Sequence, residues 1–121
     1  MEEDKELFLT PEEVFKLPEE VREAIANRIP DNWNVIKGLA LDLLFMGVTK
    51  TKAEMDAYAK QAWHWPAYAP WVVVGAYLRM YGIETEYVRE VEDHIDVSYY
   101  KLVGVRIKES ELTALLKAQK E

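Results

Sequence analysis

The sequence predicts an α+β domain in which helices fill the first two thirds, a β-hairpin follows, and one more helix closes the chain. Three observations carry this reading. Capping boxes and prolines divide residues 10–82 into short helices. The apolar period then changes at Gly82-Ile83 from helical spacing to alternation. With 121 residues, half of them hydrophobic, the chain is large enough for one core and is expected to form a single domain.

The acidic start, Met1 to Glu6, is the opposite of a secretory signal, and residues 1–9 are expected to be a disordered acidic segment. Thr10-Pro11-Glu12-Glu13 opens the first helix: Thr10 caps, Pro11 suits the first helical position and Glu13 completes a capping box. Pro18 ends that turn and opens a second helix, with Val21, Ile25 and Ile29 on one face. Pro30 stops it, and Asp31 is placed to cap the next. Helix 32–46 is apolar over more than half its circumference and is expected to be the central one, ended by Gly47 in the left-handed conformation.

Thr51-Lys52-Ala53-Glu54 is a second capping box, predicting a helix through Trp63. The prolines of His64-Trp65-Pro66-Ala67-Tyr68-Ala69-Pro70 force a loop. Helix 71–81 follows, with strand competing for Val72-Val73-Val74, and Gly82 is its C-cap. Alternation then places Thr85, Tyr87, Arg89 and Val91 on one face of a strand. Val97, Tyr99, Lys101, Val103, Val105 and Ile107 share a face of the return strand, and the join lies around Glu92 to Asp96. Ser110 is placed to cap a final amphipathic helix carrying Leu112, Leu115 and Leu116.

From Gly47-Val48 before the capped helix at Thr51, through Leu78-Arg79-Met80-Tyr81-Gly82-Ile83 to strands 85–91 and 97–107, the chain resembles the winged helix-turn-helix superfamily. The resemblance covers about half the chain and rests on spacing and hydrophobic pattern. It implies that residues 71–81 are the recognition helix and the hairpin is the wing. It also implies double-stranded DNA as a partner, met by Lys50, Lys52, Lys60 and Arg79.

The residues themselves point elsewhere. Between Trp71 and Tyr81 the only side chain of a type that reads base edges is Arg79. The net charge of −7 is confined to two blocks, and residues 84–96 hold six acids against one base, which repels phosphate at the wing tip. The favoured reading is therefore a non-enzymatic regulatory or accessory module that binds protein or itself. Trp63, Trp65, Tyr68 and Trp71 form an aromatic platform, a residue type that serves either packing or recognition. Gly75-Ala76 is a small-residue strip expected to face another helix. Tyr100 and Leu102, on the strand face opposite the inward set, predict a homodimer surface together with the C-terminal helix.

No cysteine is present, so thiolate chemistry and disulfides are excluded. Asp93-His94-Ile95-Asp96 reads as turn chemistry rather than a metal site, and two isolated histidines make no catalytic constellation. No cofactor and no metal are expected. The longest uncharged apolar stretch, Trp63 to Leu78, is too short and proline-broken to span a bilayer, so a cytoplasmic protein is expected. Few Asn and Gln with abundant Glu, Lys, Ile and Val fit a thermophilic source.

Overall fold

Strand gives way to helix across the single residue Thr10. Its hydroxyl accepts the Glu13 amide, and the Glu13 carboxylate returns to the Thr10 N–H at 3.1 Å, so the predicted capping box is formed. The structure is a computed structural model, and the residues described are 4–48 and 70–119. Its described elements are β1 (Glu6–Leu9), α1 (Pro11–Phe15), α2 (Glu19–Ala26), a 3-10 turn (Asp31–Trp33), α3 (Asn34–Met46), α4 (Pro70–Met80), β2 (Ile83–Glu92), β3 (Ile95–Lys108) and α5 (Glu109–Ala118). The result is an α+β fold whose described strands form one antiparallel sheet in the order β1-β3-β2.

Helix boundaries follow the prolines and glycines closely. α2 starts after Pro18 and buries Val21 and Ile25 on one face. α3 buries Ile36, Leu39, Ala40, Leu43 and Leu44 and lies at the centre of the core, as its breadth of apolar surface predicted. Gly47 closes it at φ 79°, with its amide on the Leu43 carbonyl. The Arg22 guanidinium donates to the Leu44 carbonyl and lies over the Phe45 ring, which ties α2 to the end of α3. Each large aliphatic side chain buried here contributes about 1.5–3 kcal/mol relative to exposure.

Several expectations need correction. Residues 6–9 are not disordered. They form β1, which pairs with the end of β3 from Glu6 opposite Lys108 to Leu9 opposite Val105. Leu9 enters the core there, and four residues suffice because β3 supplies the ladder. Asp31 does not cap α3. A 3-10 turn intervenes, and the Asp31 carboxylate binds Lys37, whose hydrogen bond and charge hold it below the usual carboxylate range. Ser110 does not cap α5 either. Its amide and hydroxyl both donate to Asp4, so the cap arrives from the N-terminal segment, more than a hundred residues away in sequence. A carboxylate at a helix N-terminus also opposes the positive end of the helix dipole.

The largest correction concerns the face of β3. The register runs Glu84 opposite Gly104 but Thr85 opposite Leu102, so Val103 is an extra residue, a β-bulge. Alternation therefore slips by one at Val103. Val105 and Ile107 point inward as predicted, but beyond the slip the inward residues are Tyr100 and Leu102, each only 2% exposed. Val103 is exposed instead, and Tyr99 is not in the core. Tyr100 and Leu102 thus belong to the core of one chain and cannot form a dimer surface. The third component of that surface, α5, packs Leu112, Leu115 and Leu116 against the same core.

The join between β2 and β3 is also tighter than expected. It is a two-residue turn at Asp93 and His94 with φ of 48° and 65°. Both residues being left-handed is the geometry whose twist matches a two-residue hairpin.

Candidate functional site

Two regions concentrate chemistry. The first is a junction where α2, the end of α4, β1, β3 and α5 meet. Arg28 donates through Nε and Nη2 to Glu111, at 2.9 and 2.7 Å, and through Nη1 to the carbonyls of Tyr81 and Arg106, both at 3.1 Å. A planar fork with this many acceptors is held in one orientation. Beside it, Arg106 Nε lies 2.9 Å from a Glu84 oxygen without making a hydrogen bond to it, and Arg106 Nη1 lies 4.0 Å from Glu6 Oε1. Arg106 Nη2 donates to the Arg79 carbonyl at 2.6 Å.

These groups border a cavity of about 270 Å³ lined by Glu6, Arg28, Tyr81, Gly82, Arg106 and Glu111 among others. The guanidinium groups of its wall are already matched to carboxylates and carbonyls. The arrangement clamps distant elements together, and the residues that line the cavity include no histidine, serine or threonine. No local signal in the sequence marks it, because Arg28 and Glu111 are 83 positions apart.

The second region is the outer side of α4 and the hairpin. α4 turns Val74 and Leu78 into the core and leaves Ala76, Arg79 and Met80 exposed. Gly75 does not face a helix, as its small size suggested. The sheet lies there instead, and a methyl group at Gly75 would sit 3.7 Å from Thr85 Oγ1 and 4.0 Å from the Tyr100 ring. Tyr100 stacks at a tilt on Tyr87, 5.8 Å between centroids, and burial pushes its phenol up so that it stays neutral. On the opposite side of α4, Tyr77 meets Trp33 of the 3-10 turn at 4.6 Å.

Arg79 is directed back at the start of β2, with Nε 3.1 Å from Glu84 Oε2. An exposed pair of this kind adds little stability, but it does fix where the charge points. The outer face of β2 continues with Glu86 opposite Lys101, Val88 opposite Tyr99 and Glu90 opposite Val97. Glu90 accepts the Tyr99 hydroxyl at 3.2 Å. Desolvation first, and then that carboxylate, raise the Tyr99 phenol above its usual range. His94 and Asp93 are exposed at the turn, and among the described residues no three His, Asp or Glu side chains converge as a metal site.

Of the other candidate residues, Lys50, Lys52, Lys60, Trp63, Trp65 and Tyr68 lie outside the described residues, and Trp71 is placed by its backbone in the first turn of α4. No helix among the described residues is long and apolar enough to cross a membrane. Comparison with protein-family models, with curated proteins and with solved structures finds no match to this chain.

Proposed function

We propose that this chain is a winged-helix-like, non-enzymatic module that acts by binding protein and not by reading duplex DNA. The layout supports the first half of the reading. α3 and α4 precede a long hairpin, and β1 completes a three-stranded sheet beside it. On this reading α4 corresponds to the recognition helix and the β2–β3 hairpin to the wing.

The observation that carries the second half is the state of Arg79. It is the one side chain between Trp71 and Tyr81 suited to base edges, and its guanidinium is committed to Glu84. Around it are Met80 and Ala76, and beyond Glu84 the hairpin holds five further acids up to Asp96. Bringing this surface to a duplex sets carboxylates against phosphates and releases few counterions. The exposed Met80 suits protein contact better.

The test is fluorescence anisotropy of a labelled duplex with wild type and Arg79→Ala across a salt series. Wild type is expected to show no saturable binding at physiological salt, and Arg79→Ala is expected to behave identically. Tight, sequence-specific binding that Arg79→Ala weakens by about 1–3 kcal/mol would mean that α4 reads bases after all.

A further inference from the structure

The β2 strand is the longer of the two edge strands of the described sheet, and it runs ten residues from Ile83 to Glu92. The two-residue turn fixes which of its backbone groups face β3. Glu92 and Ile95 flank the turn and form the hydrogen-bonded pair, so bonding alternates from there down the ladder. Glu90, Val88 and Glu86 bond to β3, whereas Val91, Arg89, Tyr87 and Thr85 direct their N–H and C=O groups to the outer edge. An independent contact agrees with this phase. Leu102, opposite Thr85, sends its own amide away from β2, to the Gly47 carbonyl at 2.9 Å.

Such an edge is a template for one more strand. Its side chains select which. On the outer face Glu86 and Glu90 are exposed with half-buried Val88 between them. A second copy of the same strand would bring glutamates against glutamates, and like charges opposite one another are unfavourable. A strand with basic side chains at those positions gains instead.

We propose that the β2 edge binds an extended segment of a partner protein by strand addition. The segment carries Lys or Arg at positions i and i+4 to meet Glu86 and Glu90, with an apolar β-branched residue at i+2 over Val88. Backbone hydrogen bonds to Thr85, Arg89 and Val91 supply the common affinity, and the alternating side chains supply the choice of sequence. This assignment rests on the protein-binding reading above and names the class of partner.

The probe is a blocked heptapeptide with lysine at its second and sixth positions, valine at its fourth and threonine elsewhere, titrated into the full chain and followed by amide NMR. Binding is expected to shift and protect the amides of Thr85, Arg89 and Val91, and to weaken as salt is raised. The double variant Glu86→Lys with Glu90→Lys, checked for an unchanged fold by its core methyl resonances, is expected to lose at least about tenfold in affinity. A peptide N-methylated on alternate residues should not bind, since it lacks the edge donors. No perturbation of these three amides at millimolar peptide, or equal binding by the N-methylated peptide, would overturn the strand-addition proposal. That failure is separable from failure of the protein-binding reading, which only duplex binding would signal.

Discussion

Leu102→Glu is expected to abolish the folded state at ordinary temperature. Leu102 is 2% exposed and lies in the core with Tyr100, Ile83 and Leu78. Removing its aliphatic bulk alone is comparable to a core Leu→Ala change, about 2–5 kcal/mol. The carboxylate adds the cost of an ionised group without a partner among apolar side chains, several kcal/mol more unless it stays protonated. Against a total stability of about 5–15 kcal/mol, this leaves little or nothing. Circular dichroism and a urea titration check it, and the expected result is loss of the cooperative transition. A variant with the wild-type midpoint would place Leu102 on the surface, the position that unbroken alternation in β3 gives it.

Gly82→Ala is expected to cost about 2–5 kcal/mol. Gly82 sits at φ 84°, where a Cβ costs roughly 1–2 kcal/mol through local sterics. A Cβ there would also lie 2.6 Å from the Arg106 carbonyl oxygen and 2.9 Å from Arg28 Nη1. The carbonyl belongs to β3 and cannot swing aside as a flexible side chain does. It is moreover the acceptor for Arg28, and the Gly82 carbonyl in turn takes the Arg106 amide at 2.7 Å. Overpacking at so tight a crossing adds about 1–3 kcal/mol. Urea midpoints measure the loss, with Gly75→Ala as the comparison, since a Cβ at Gly75 meets its neighbours only at ordinary van der Waals distance. Equal stability of the two variants would contradict the account of the α4–β2 junction.

These two sites mark what a sequence reveals and what it conceals. Gly82 was legible because a glycine after a helical run and before alternation signals a left-handed residue. Thr10, Pro18 and Gly47 were legible for the same local reasons, and so were the acidic character of the hairpin and the isolation of Arg79 among apolar residues. The phase of Tyr100 and Leu102 was not. A bulge adds one residue opposite none, and the string Tyr99-Tyr100-Lys101-Leu102-Val103 is apolar enough in both phases to hide it. β1 was hidden because Glu6-Leu7-Phe8-Leu9 is too short to show a period, and its pairing depends on β3 a hundred residues later. Arg28 and Arg106 were unreadable as a pair of clamps for that reason too: their partners come from α5, the three strands and the turn after α4.

The slip at Val103 is the hinge of the sheet, because it buries Tyr100 and Leu102 in place of Tyr99 and Val103 and lets the ladder meet both the two-residue turn and the pairing of Ile83 with Val105. It can be measured directly. In an antiparallel ladder the α-protons of non-hydrogen-bonded pairs approach closely, with Cα atoms about 4.5 Å apart. Cross-strand nuclear Overhauser effects are expected between the α-protons of Thr85 and Leu102 and of Tyr87 and Tyr100, with none between Thr85 and Val103. Contacts from Thr85 to Val103 and from Tyr87 to Lys101 would show an unslipped ladder, and with it Tyr100 and Leu102 on the outer face, contrary to everything built on this sheet.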